Sequence, residues 1–144
     1  MNLADEQATL AFGARLAARA RPGDVITLSG PLGVGKTALA RGLLEALGHR
    51  GEVPSPSFAI VQPYDELDVP VWHVDLFRIE DRSELDELGL EAADEGLLLV
   101  EWPERAGTSA WPQALGLTLE FAEGGVRRLT AEVPASWQAR WPPA

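Results

Sequence analysis

The stretch GPLGVGKT, residues 30–37, contains the only lysine of a 144-residue chain that otherwise carries its positive charge on eleven arginines. Gly30, Gly35, Lys36 and Thr37 satisfy G-x-x-x-x-G-K-[ST], the spacing of a loop that wraps phosphate groups. Glycines let the backbone turn tightly with no side chain in the way, so successive N–H groups, here those of Gly33, Val34, Gly35, Lys36, Thr37 and Ala38, can point at one anion. A helix starting at that point adds the positive end of its dipole. The lysine supplies a compact charge for the outer phosphates, which suits that slot better than the planar fork of arginine, and the threonine hydroxyl can take a place on Mg²⁺. These residues predict a nucleoside triphosphate site.

Hydrolysis at such a site needs a carboxylate for the metal and a group that orients water. Two acids stand at the ends of apolar runs, Asp75 after VWHV and Glu101 after LLLV, and strand ends are where α/β sheets place ligands. Each has a plainer alternative: Glu101 as a solvated acid at a strand exit, Asp75 as the cap of the following turn. The segment VPSPSF, residues 53–58, offers Ser55 and Ser57 in a loop where a nucleotide-sensing switch would lie, or forms a proline-stiffened turn. Trp102 is either a cover for the site or part of the core. Asn2 is the only asparagine, so the Asn-Lys-x-Asp element that reads guanine is absent, and ATP is the predicted nucleotide.

The elements that must hold these groups alternate in type. DEQATLAFGARLAARA (5–20) has helical spacing and is stopped by RPGD, VITLS (25–29) is a buried strand, and TALARGLLEAL (37–47) is a helix ending at Gly48. Residues 55–64 read as loop then strand and VWHVDLF (71–77) as a second strand, pairing as a hairpin around an acidic turn. Asp81 with Glu84 forms a capping box for a short helix that Gly89 closes. LLLVE (97–101) is a strand buried on both faces. LGLTLEF and VRRLTAEV, residues 115–121 and 126–133, flank EGG as a C-terminal hairpin, and the tail 134–144 reads as irregular. The predicted fold is therefore a P-loop NTPase-like mixed β-sheet flanked by helices, one domain over residues 1–144.

Composition narrows the partners. The net charge of −10 is spread along the chain, the wrong sign for gripping nucleic acid directly. Cysteine is absent, which removes thiol chemistry, and a zinc site built from His49 and His73 is disfavoured by their separation. No apolar run is long enough to cross a bilayer and the N-terminus does not read as a secretory signal, so a cytoplasmic setting is expected.

The strings GPLGVGKTALARGLLEALG, VPSPSFAIVQPY, WHVDLFRIEDRSELDELGL and LLLVEWPERA, in that order, resemble the successive motifs of the TsaE family of bacterial ATPases in tRNA threonylcarbamoyladenosine synthesis. The resemblance implies a weak Mg²⁺-dependent ATPase that joins a TsaD–TsaB heterodimer while tRNA is held by the partner. It makes Lys36 the phosphate ligand, Thr37 and Glu101 the magnesium ligands and Asp75 the acid that orients water, with Ser57 in the place of the switch threonine. Departures from the family pattern are Pro31 for aspartate, Ala38 for a hydroxyl residue and Phe77 for tyrosine. A small-molecule kinase and a nucleotide-gated adaptor without useful hydrolysis are the alternatives. For the kinase, residues 50–100 supply only Arg50, Arg78 and Arg82 to a lid.

Overall fold

Apolar, branched runs become strands and the alanine- and leucine-rich runs become helices, in an order that places the phosphate loop at the middle of a sheet. The computed structural model describes residues 1–53, 61–107 and 110–143. In chain order the elements are β1 (Asn2–Leu3), α1 (Glu6–Ala17), β2 (Val25–Ser29), α2 (Lys36–Ala46), β3 (Val61–Tyr64) and β4 (Val71–Asp75). There follow β5 (Leu97–Glu101), β6 (Leu115–Phe121) and β7 (Arg127–Glu132), with single 3₁₀ segments at Arg82–Leu88, Leu90–Glu95, Pro103–Ala106 and Ala135–Arg140. Ser55 and Ser57 lie outside the described residues.

The seven strands form one mixed sheet in the order β1-β7-β6-β2-β5-β4-β3. β2 runs parallel to both β5 and β6, and β4 parallel to β5. The two expected hairpins, β3–β4 and β6–β7, are antiparallel. Alternation along β5 explains its wholly apolar run. Leu97 and Leu99 join the core beneath α1 and α2, while Leu98 and Val100 join a second cluster with Val74, Leu76 and Ala106 on the other face.

α1 is capped by Asp5, whose Oδ1 accepts from the Ala8 N–H at 2.8 Å. The two helices meet at glycines: a Cβ on Gly13 would strike the Leu39 carbonyl, and one on Gly42 the Leu10 carbonyl. This close approach seats α2, and with it the loop at its N-terminus, against the sheet. The capping box at Asp81 and Glu84 forms as expected, but the segment it opens is 3₁₀.

Two differences from the sequence reading lie at the termini. The first residues form an edge strand, β1, on β7; a two-residue strand carries no periodic signal. The tail, expected to be irregular, is a 3₁₀ segment in which Trp137 is fully buried and Arg140 nearly so. Arg140 reaches back to the residue before β2. Its Nη1 donates to Asp24 Oδ2 at 2.7 Å and to the Arg19 carbonyl at 2.8 Å, and its Nη2 donates to Asp24 Oδ1 at 3.1 Å. The guanidinium also lies over the Trp137 ring, 4.0 Å from its centroid. Pairing across more than a hundred residues leaves no local pattern to read. Breaking this buried pair leaves the Asp24 carboxylate with only the Arg21 N–H and no opposite charge, so Arg140→Ala is expected to cost about 3 kcal/mol of stability in a denaturant titration, against well under 1 kcal/mol for Arg128→Ala, whose side chain is exposed on β7.

Candidate functional site

The carboxyl ends of β2, β5 and β4 lie side by side, and the chemistry follows from their register. Leu28 of β2 pairs with Glu101, and Asp75 pairs with Glu101, so both acids leave the sheet at the same level as the loop that follows β2. His73, Asp75 and Glu101 occupy alternate positions that share the face covered by α2. Lys36, Asp75 and Glu101 are each no more than 5% exposed, and His73 is completely buried.

The loop holds a conformation that requires glycine, with φ at +77° for Gly33 and +116° for Gly35. A Cβ on Gly33 would meet nothing within 4 Å, so the cradle opens outward. No side chain caps α2, in contrast to α1, and its first N–H groups are left for a ligand. Gly33, Val34, Gly35, Lys36, Thr37 and Ala38 all line a cavity of about 430 Å³ together with Asp75, Glu101 and Trp102. Pro31 spends no needed donor: its carbonyl accepts from the Val34 N–H at 3.3 Å in the turn before the cradle.

Thr37 Oγ1 stands 3.5 and 3.4 Å from the two oxygens of Glu101, an all-oxygen pair of the kind a hard divalent cation takes. Glu101 Oε2 is 2.7 Å from His73 Nε2. Asp75 Oδ1 accepts from the Phe77 N–H at 2.8 Å, so the turn-capping role considered for it is real, and the carboxyl faces the cavity as well. Burial pushes the Asp75 carboxyl above its ordinary range, with the Phe77 N–H acting in the opposite direction. Burial likewise lowers the Lys36 ammonium, opposed by Glu101, Glu104 and Asp75.

Lys36 Nζ donates to the Gly30 carbonyl and sits over the Trp102 ring, 3.6 Å from the centroid. Trp102 has φ +60°, the one non-glycine residue in the left-handed region among those described. Its ring packs on Phe77 at 4.9 Å, and the Arg105 guanidinium lies 5.6 Å from the Phe77 ring centroid. Trp102 thus lines the cavity and also packs, partly buried, against the second core cluster, so both roles considered for it are present. Two contributors escaped the sequence reading. Arg127, at the start of β7, donates from Nε to the Val34 carbonyl at 2.9 Å and braces the loop. The His73 contact was legible only as His-x-Asp on one strand, since residues two apart share a face.

A family model described as "Threonylcarbamoyl adenosine biosynthesis protein TsaE" matches residues 3–129. The chain belongs to the TsaE family. Its relatives include a Bacillus subtilis protein named tRNA threonylcarbamoyladenosine biosynthesis protein TsaE, 38% identical over 85% of this chain and 77% of the relative. A Streptomyces coelicolor protein of the same name is 40% identical over 78% of this chain and 79% of the relative. The crystal structure of Bacillus subtilis YdiB superimposes with a TM-score of 0.80 at 29% identity, over 94% of this chain and 85% of that one. TsaE membership and this likeness agree with the P-loop NTPase-like α/β fold expected from the strand–loop–helix order, the fold of a nucleotide-binding protein. Among the described residues no helix is long and apolar enough to cross a membrane.

The raised Asp75 carboxyl has a consequence for stability. Its folded value lies above its unfolded one, so it favours the fold at acid pH and loses that contribution as pH rises through the folded value. Asp75→Asn, which keeps an oxygen for the Phe77 N–H, is expected to melt at a higher temperature than the parent at pH 8 and at the same temperature near pH 3, as followed by circular dichroism. A variant less stable at pH 8 would contradict the assignment.

Proposed function

We propose that this TsaE-family chain is a weak Mg²⁺-dependent ATPase acting in formation of threonylcarbamoyladenosine on tRNA, together with a TsaD–TsaB pair. The observation that carries the reading is the meeting of Lys36, Thr37 and Glu101 at the uncapped start of α2. The cavity takes the triphosphate, with the backbone N–H groups of Gly33 and of residues 35–38 and the Lys36 ammonium on the phosphate oxygens. Thr37 and Glu101 fit Mg²⁺, which favours one or two protein oxygens and keeps its remaining positions for water and phosphate. Bound there, the ion would neutralise charge that develops on the phosphates. Asp75, at the neighbouring strand end, orients the attacking water. The names of the relatives support the pathway.

Lys36 must leave the Gly30 carbonyl and the Trp102 face to reach a phosphate. That movement changes the packing of Trp102 on Phe77, and through it the surface near Arg105, which gives a partner a means of telling nucleotide states apart. The net charge of −10 leaves tRNA to the partners.

Phosphate release from ATP, measured for the purified protein alone and with the TsaD–TsaB pair, tests this reading. Slow release that the pair stimulates is expected. No release in either case supports a nucleotide-gated adaptor, and phosphate appearing on an added acceptor supports a kinase. Glu101→Gln is expected to keep ATP affinity within about threefold while lowering Mg²⁺-dependent turnover by about a hundredfold or more, because the amide keeps the shape and loses the charge. Lys36→Ala is expected to weaken ATP binding by at least about tenfold in calorimetry, a loss of about 1.4 kcal/mol.

A further inference from the structure

His73 is the most deeply buried ionisable group of the site, and the mechanism above makes no use of it. It lies on β4 two residues before Asp75, is completely buried, and makes a 2.7 Å contact from Nε2 to Glu101 Oε2. Its other ring nitrogen, Nδ1, is buried with no hydrogen-bond partner among the described residues. That orphan decides where the proton sits. A proton on Nδ1 would be a buried donor with no acceptor, and the lone pair then left on Nε2 would face the lone pairs of the carboxylate. A proton on Nε2 donates to Glu101 and leaves only an unfilled acceptor at Nδ1, the milder of the two defects. The ring thus donates from Nε2 to one oxygen of Glu101.

We propose that His73 is a positioning residue that holds the Glu101 carboxylate in the orientation from which it and Thr37 receive the divalent cation. Glu101 shares its site with the Lys36 ammonium, and a carboxylate free to rotate would close on that charge before any nucleotide arrived. The His73 N–H engages Oε2, while Thr37 Oγ1 stands between the two oxygens, 3.4 Å from Oε2 and 3.5 Å from Oε1, so Oε1 is the oxygen that His73 leaves open. A hydrogen-bonded partner behind a metal-binding carboxylate fixes its direction and raises metal affinity without touching the ion. Here that partner comes from the neighbouring strand, whose register with β5 is set by pairing of His73 with Leu99 and of Asp75 with Glu101.

The inference rests on the Mg²⁺ site proposed above, and its test separates the two. In nucleotide-free parent protein, ¹⁵N spectra of the two histidine rings, assigned with His73→Gln, are expected to show His73 Nε2 protonated and Nδ1 not. A glutamine amide nitrogen reaches the position of Nε2, whereas asparagine falls short and leucine donates nothing. The Mg²⁺ concentration at half-saturation, read by calorimetry with a non-hydrolysable ATP analogue, is therefore expected to rise about tenfold or more for His73→Asn and His73→Leu and to stay within about threefold for His73→Gln. Analogue affinity without Mg²⁺ should be unchanged in all three. A Leu variant with parental Mg²⁺ dependence, a Gln variant as impaired as Leu, or an Nε2 without a proton overturns the role of His73. A parent whose analogue binding ignores Mg²⁺ overturns the metal site itself, and this inference with it. Should the Leu variant fail to fold, the parent spectra and the Gln variant still decide.

Discussion

An ammonium and two carboxyl groups, Lys36, Asp75 and Glu101, are taken almost wholly out of water at one edge of the sheet. Charges so placed are tolerated only when each has a partner. Lys36 has the Gly30 carbonyl and the Trp102 face, Asp75 the Phe77 N–H, and Glu101 the His73 ring and the Thr37 hydroxyl. Much of the rest of the structure serves that condition. The parallel pairing of β2, β5 and β4 brings the acids level with the loop, Gly13 and Gly42 press α2 onto the sheet, and Arg127 steadies the loop from β7. Burial raises the Asp75 carboxyl and lowers the Lys36 ammonium, so both groups are held away from their ordinary titration ranges at one place in the fold.

What could be read beforehand divides along physical lines. Local rules gave the elements: β2 and β5 from apolar runs, α2 from helix formers after a glycine loop, the capping box at Asp81, and both hairpins. The phosphate loop was legible because its chemistry is confined to eight consecutive residues. Asp75 and Glu101 were found as strand-end acids, although nothing in their neighbourhood in sequence says that they sit side by side. Contacts made over long separations stayed hidden. Arg140 on Asp24, Arg127 on Val34 and His73 on Glu101 span 116, 93 and 28 residues, and arginine or histidine in a strand or tail looks the same whether paired or solvated. Ser57, the remaining predicted contact, lies outside the described residues.

Trp102 shows how strain and chemistry are joined. A tryptophan in the left-handed region costs of order 1 kcal/mol or more and persists only where the surroundings insist on it. Here they do: its N–H bonds the Leu28 carbonyl at 3.2 Å, Pro103 fixes the next residue, and both Phe77 and Lys36 contact the ring. Phe77 supplies the aromatic ring of that contact, 4.9 Å from Trp102 between centroids.

The strand order also governs how the chain can be made. β2 carries the phosphate loop and is complete by residue 29, yet its two neighbours in the sheet, β5 and β6, end at residues 101 and 121, and the residue just before it is tied by Arg140. During synthesis the loop and α2 therefore leave the ribosome long before anything exists to hold them, and α1 with α2 can form little more than a helical pair. The central strand gains its flanks only after residues 101 and 121 have emerged, and its anchor only with Arg140. A chain cut before residue 97 would keep the loop's motif in its sequence but lack both strands that flank β2, and so have no sheet on which to display it.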